Sequence, residues 1–199
     1  MDWLTMDWLL VATGVTGGLT LDFWLRSLYR RFTTPPSVAP HFSPKGGCTE
    51  AVIKEISAAR KEILILAYSF SSKPIAQALI EAKTRGVQVE ILLDRSNEQE
   101  AYSDLPFLME QGLAPLIDSQ HAIAHNKVMV IDRRTIITGS FNFTHQAEAE
   151  NAENLLIIKG HPELVSLYSR DFAAHKGHCQ PPQIKAAAQN HGQQHRKAA

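Results

Sequence analysis

From residue 49 to residue 175 the chain changes its apolar period repeatedly, and that alternation leaves few folds open. Residues 49–61 carry Val52, Ile53, Ile56 and Ala59 at helical spacing. Residues 63–70, ILILAYSF, read as a strand. Residues 74–85 follow as a helix, with Pro74 in its first turn and Gly86 just past its end. The pattern continues with a strand over 87–94, a helix over 103–111 closed by Gly112, and a short strand over 113–117. Further strands fall at 127–131, 135–138 and 155–158, and a last helix at 162–175. Strands alternating with helices predict an α/β sandwich with a mixed, largely parallel sheet flanked by helices. The chain has 199 residues, 44% of them hydrophobic, enough for one domain with a real core plus appendages. No internal repeat is visible. In sheets of this kind ligands gather at the strand ends.

The appendages differ from the domain, expected at 48–176. Residues 1–34 contain fourteen uncharged residues, WLLVATGVTGGLTL, between Asp7 and Asp22, followed by Arg26, Arg30 and Arg31. That run suits a membrane anchor, a cleaved signal or an extra helix. The N-terminus lacks the basic residues of a standard signal peptide, and the trailing arginines favour a cytoplasmic side for that end. The expectation is a protein anchored in a membrane or exported, rather than cytoplasmic. Residues 35–47 hold Pro35, Pro36, Pro40 and Pro44 and read as a linker. Residues 177–199 are rich in Gln, His and Ala and read as a disordered basic tail. Formal net charge is zero, so no global field draws in a polyanion. Cys48 and Cys179 are too few for a disulfide framework, and no C-x-x-C suggests zinc.

The chemistry is concentrated in residues 125–153, HNKVMVIDRRTIITGSFNFTHQAEAENAE. His125 and Lys127 are two apart, so on a strand they share a face. Val128 to Ile131 form an apolar run suited to a strand buried on both faces, which would hold the pair rigidly. Asp132 follows, then a turn at Gly139 with Ser140 and Asn142, then Glu153. A neutral His serves as nucleophile or acid–base near neutral pH. A Lys supplies positive charge, and Ser140 and Asn142 supply donors. Such a set suits a phosphoryl group.

These residues, H-x-K-x4-D followed by G-S-x-N, resemble the signature of the phospholipase D superfamily. The stretch GSFNFT…ENAEN, with ILILAYSFSSKPIAQALIEAKTRGVQVEILLDRSN upstream, is similar to the short, single-motif bacterial endonucleases of that superfamily. The resemblance covers roughly residues 43–176. It implies a phosphodiesterase that uses two histidines and no metal or cofactor. One histidine attacks phosphorus to form a phosphohistidine; the other protonates the leaving oxygen and then activates water. This chain carries the motif once, so the resemblance implies a homodimer with a shared active site. It assigns His125 as nucleophile or acid–base, Lys127 and Asn142 as phosphate ligands with Ser140 assisting, Asp132 to the framework, and Glu153 to holding the His orientation and tautomer. The expected substrate is DNA or RNA. A phospholipid headgroup ester is the main rival, and an idle phosphodiester-binding module is a third possibility. Arg95, Arg133 and Arg134 are expected to rim the groove, with Tyr68, Ser69 and Phe70 near it.

Two side readings complete the sequence. His121 and His125, with His145 near, would hold zinc only from one helix face, and the region reads as strand and loop, so no metal site is expected there. Phe141 and Phe143 flank Asn142 and are expected in the core rather than against a base.

Overall fold

The computed structural model describes residues 35–99 and 103–183. Nine strands and five helices follow in the order β1 Ser37–Ser43, α1 Cys48–Ala58, β2 Glu62–Ala67, β3 Phe70–Ser71, α2 Lys73–Thr84, β4 Gln88–Asp94, α3 Leu105–Glu110, β5 Leu116–Asp118, β6 Lys127–Ile131, β7 Thr135–Gly139, β8 Phe143–Thr144, α4 His145–Ala149, β9 Glu153–Lys159 and α5 Pro162–Lys176. Seven strands form one sheet in the order β1-β9-β7-β6-β2-β4-β5; β3 and β8 pair separately.

Alternation of side chains along the strands feeds two cores. Ile63, Ile65, Ile91, Leu93, Met129, Ile131, Ile137 and Ile157 face the helices α1, α2 and α3. Leu64, Leu66, Leu92, Val128, Val130 and Ile136 face α5 through Val165 and Phe172. β6 is buried along its whole length. This is the expected α/β sandwich with a mixed sheet.

Three expectations need correction. In the seven-stranded sheet parallel pairing is the minority: β2–β4 and β4–β5 are parallel, whereas β1–β9, β2–β6, β6–β7 and β7–β9 are antiparallel; the separate β3–β8 pair is parallel. A parallel step needs a crossover, and within the sheet only α2 and α3 supply one between neighbouring strands. Between β6 and β7 lies a tight turn instead. Asp132 and Arg133 both sit at φ 52°, and Arg134 N–H donates to the Ile131 carbonyl at 3.0 Å, the geometry of a type I′ hairpin turn.

The stretch read as a linker, 35–47, contains β1, whose residues from Ser37 to Ser43 pair with Lys159 to Glu153. Proline bars a central strand but not an edge one, where alternate N–H groups have no neighbour to serve. β1 is an edge, and Pro40 is tolerated in it.

The stretch read as a disordered tail is ordered at its start. Gln180 bridges Ile117 of β5, and Cys179 is buried against the α5 side of the sheet. The remainder, 184–199, and the N-terminal segment 1–34 lie outside the described residues. Among the described residues no helix is long and apolar enough to cross a membrane. Cys48 and Cys179 are free and buried. Burial, with Glu148 near Cys48 and Asp118 near Cys179, pushes each thiol up to about 11, so both stay protonated and unreactive. Phe141 and Phe143 are fully buried, as expected.

Candidate active site

Register brings one end of five central and edge strands together. Ala67 of β2 pairs with Lys127 of β6, Val128 with Thr138 of β7, Gly139 with Leu155 of β9, and Glu153 with Ser43 of β1. The carboxyl end of β4, Asp94, lies beside β2 at the same edge. His125, Lys127, Ser140, Asn142 and Glu153 therefore come from separate segments to one rim of the sheet.

His125 does not sit in β6 itself. It rides on a strap, residues 119–126, that runs from β5 over the ends of β4 and β2. The strap is pinned along its length. The Asp94 carboxylate accepts from Ala124 N–H at 2.7 Å, Arg95 Nη2 donates to the Ala122 carbonyl at 3.1 Å, and Tyr68 N–H donates to the Asn126 carbonyl at 2.7 Å. Asn97, itself buried, donates from Nδ2 to the carbonyls of Tyr68 and Asp94. Asp94 and Asn97 are thus positioning residues that the sequence did not single out, and Tyr68, expected near the groove, joins them. The signal was present in the D-R-S-N run closing β4, since Asp and Asn bond local backbone where a strand ends.

At the end of the strap the His125 ring is exposed and lies 4.5 Å from the Tyr68 ring, centroid to centroid. Lys127 is buried. Its Nζ sits 4.9 Å from the centroid of the Tyr68 ring and donates to the His125 carbonyl at 3.2 Å. Burial lowers the Lys127 pKa, and the Glu153 carboxylate opposes that fall. Tyr68 thus packs against both motif residues, a cation–π contact on one side and a ring contact on the other.

The turn after β7 is held by Asn154. Ser140 and Phe141 N–H both donate to the Asn154 carbonyl, and Ser140 Oγ accepts from Asn154 N–H at 3.0 Å and from Nδ2 at 3.2 Å. Having accepted twice, the hydroxyl keeps its own proton to donate. Gly139 has φ 151°, and a Cβ there would meet the Asn154 carbonyl oxygen at 2.2 Å. Asn142 Oδ1 is buried with no hydrogen-bond partner. Glu153 accepts from Asn151 Nδ2 at 3.1 Å, and its bond is to that residue rather than to His125.

Asp132 is not with the others. It lies beyond the far end of β6, five strand residues or roughly 16 Å from Lys127. There its carboxylate accepts from the N–H groups of Arg60, Lys61 and Glu62 at 2.9, 2.7 and 3.1 Å, tying the β6–β7 turn to the start of β2. Arg133 belongs to the same turn and pairs with Glu62 at 2.7 Å. Arg133 and Arg134 therefore do not rim the site, because the five residues of β6 separate them from it; Arg95 does. Phe70 is core, paired with Phe143 at a centroid distance of 6.3 Å, and Tyr68 is the member of its trio at the site.

Known proteins resemble this chain in sequence and fold. The family model described as cardiolipin synthase, PLD-like domain, matches residues 52–176. A phospholipase D of Rickettsia bellii is 38% identical over 180 residues, covering 83% of this chain and 89% of that protein. A mitochondrial cardiolipin hydrolase of Xenopus laevis is 28% identical over 182 residues, covering 81% and 86%. The crystal structure of Nuc from Salmonella typhimurium, a phospholipase D family member, superposes with a TM-score of 0.70 and 34% identity, covering 73% of this chain and 97% of Nuc. A family match over more than half the chain, a 38% identical relative and an α/β fold shared with Nuc together make this chain a member of the phospholipase D superfamily and, by that membership, a phosphodiesterase.

Proposed function

We propose that the protein is a metal-independent nuclease that cleaves DNA or RNA phosphodiesters through a phosphohistidine at a site shared by two chains. The observation that carries this reading is the solitary imidazole. Among the described residues His125 has Tyr68 as its ring neighbour, and no second histidine is paired with it. A displacement at phosphorus that passes through a covalent histidine adduct needs a second group to handle protons.

A second copy supplies it by two-fold symmetry. His125 of one chain attacks phosphorus with its bare ring nitrogen, and the bond from phosphorus to the leaving oxygen breaks. The imidazolium of the second chain's His125 gives its proton to that oxygen. Now neutral, the same ring takes a proton from water as the water oxygen attacks phosphorus. The P–N bond breaks and the first His125 is freed. Lys127 and Asn142 of both chains hold the non-bridging oxygens, and the Ser140 hydroxyl donates a further hydrogen bond. Glu153 supports the charge of Lys127 and, on rearrangement about the substrate, orients His125. Asp132 serves the framework.

The rival substrate, a phospholipid headgroup ester, is favoured by two observations: the Rickettsia bellii relative is named phospholipase D, and the sequence carries a run of fourteen uncharged residues before Asp22. That run also supports a membrane-anchored or exported protein. Incubation in EDTA with plasmid DNA, with RNA, and with phosphatidylcholine or cardiolipin vesicles separates the readings. Cleaved nucleic acid with intact lipid is expected. Cleaved lipid alone makes the protein a phospholipase D, and a folded dimer that cleaves none of them is a binding module. Rapid quenching without acid, with labelled substrate, should leave phosphate on His125; label on another residue overturns the assignment.

A further inference from the structure

A second cluster of chemistry stands at the outer strand β5. Asp118 ends that strand. His121 follows three residues later at the start of the strap, His175 lies in the last turn of α5, and His178 lies just beyond it. One carboxylate oxygen, Asp118 Oδ2, faces all three rings: His121 Nδ1 at 2.9 Å, His175 Nδ1 at 2.7 Å and His178 Nε2 at 3.2 Å. Asp118 is almost fully buried. The four candidate donor atoms lie within 4.8 Å of one another.

An oxygen with two lone pairs is a poor acceptor for three imidazoles at once. The same four atoms are a good ligand set for a borderline cation. Three neutral imidazoles and one carboxylate suit Zn2+, which takes four ligands tetrahedrally at about 2.0–2.2 Å. Donor atoms in such a site lie roughly 3.3 Å apart, so the widest separation here must close by at most about 1.5 Å, within the reach of side-chain rotation.

The surroundings agree. The other carboxylate oxygen, Oδ1, accepts from the N–H groups of Gln120 and His121 at 3.1 and 3.3 Å, which aims Oδ2 at the rings. The other nitrogen of His175, Nε2, lies 4.0 Å from Asp171 Oδ2. That is beyond hydrogen-bond distance, but a rotation of the exposed Asp171 side chain would bring a carboxylate behind the far nitrogen of a ligating histidine, where it fixes tautomer and orientation. The paired spacing D-x2-H and H-x2-H is visible in the sequence, but 53 residues lie between the pairs and only the fold joins them.

We propose that Asp118, His121, His175 and His178 form a structural site for a Zn2+-class ion. It holds the carboxyl end of α5 and the Gln180 bridge against β5, and it anchors the first residues of the strap that carries His125. With four protein ligands the ion has no open position for substrate. Three strand spacings, roughly 14 Å of sheet, separate β5 from β6. The ion therefore takes no part in the chemistry proposed at His125 and touches it only through the seating of the strap; Zn2+ uptake is read without activity, so either proposal can fail without the other.

The test uses the full chain, stripped by a chelator and titrated with Zn2+ and with Co2+. Bound metal is measured by elemental analysis, coordination by the visible spectrum of the Co2+ form, and stability by thermal unfolding. About one ion per chain, an intense tetrahedral Co2+ band and a Tm raised by roughly 5 °C are expected. His121→Gln and His178→Gln change partly exposed rings and should fold, yet each should weaken binding by more than about tenfold. His191→Gln with His195→Gln, which spares the cluster, should change nothing. The proposal is overturned if the stripped chain takes up no Zn2+, if His121→Gln and His178→Gln bind as the parent does, or if the Co2+ spectrum is octahedral. Any of these outcomes makes the four residues a hydrogen-bond network only.

Discussion

Lys127 is a buried amine beside an exposed imidazole, and the difference in burial divides their roles. The ring of His125 is free to meet a substrate, so His125→Ala should lower kcat/KM by at least about a thousandfold while leaving the fold intact. A Tm close to the parent's with unchanged turnover would remove His125 from the chemistry. Lys127 must stay charged to hold a phosphate, but burial lowers its pKa and Glu153 alone counters this. The alkaline limb of the activity profile should therefore come at lower pH than an ordinary lysine gives. Removing the carboxylate removes the opposing influence, so Glu153→Gln should move that limb lower still. A limb that stays put or moves upward would show that Lys127 does not set it. At this scale the motif residues were legible because their types and spacing state their chemistry. Asp94 and Asn97 were not, because their roles rest on contacts between strands that no local spacing encodes; Tyr68 was expected near the groove, but its contacts with both motif residues were not. The cluster of Asp118, His121, His175 and His178 was hidden for the same reason: the sequence invited a comparison of His121 with His125, and the fold turns His121 the other way, toward α5.

The strap from β5 to β6 is the element on which the site depends. Its grip on the strand ends runs through the buried Asp94, whose two oxygens serve Ser96 and Ala124 N–H. Asp94→Asn keeps the volume and loses the second of these acceptors. An amide group facing Ala124 N–H lets the strap shift, and a displacement near 1 Å costs on the order of a hundredfold. kcat should fall by about ten- to a hundredfold with KM little changed; a loss carried by KM alone would place Asp94 in substrate binding instead. At the opposite end, Asp132 holds three N–H groups of the segment before β2. Asp132→Ala should cost about 2 kcal/mol of stability, seen as a Tm lower by several degrees, with the folded enzyme keeping its turnover. Activity lost without loss of stability would return Asp132 to the reaction. Gly139→Ala forces a Cβ onto the Asn154 carbonyl and should destabilise by about 3 kcal/mol or more through the β7–β9 pair; an unchanged Tm would contradict that packing. The elements themselves were mostly legible, since apolar period and turn residues mark them. Strand direction was not. A helix in the sequence suggests a parallel crossover, and the hairpin at Asp132 and Arg133 carries none of the Asn-Gly signals by which such turns are recognised. β1 was hidden by its prolines, which exclude a central strand and say little about an edge.

For the whole molecule, the count of histidines at the site decides the assembly. Family membership and the α/β sandwich were legible from residues 43–176, but a sequence shows one chain, and the number of chains at a site is a property of surfaces. The symmetry reading predicts that a chain lacking His125 spoils the partner with which it pairs. The direct measurement is the activity of wild-type protein after it has been unfolded and refolded with an equal amount of His125→Ala chain. Random pairing leaves intact sites in only about a quarter of the dimers, so turnover per wild-type chain should fall to about half of that in a control refolded alone. Turnover that stays strictly proportional to wild-type chain, whatever amount of the variant is added, would mean that each chain works by itself and that the shared site does not exist.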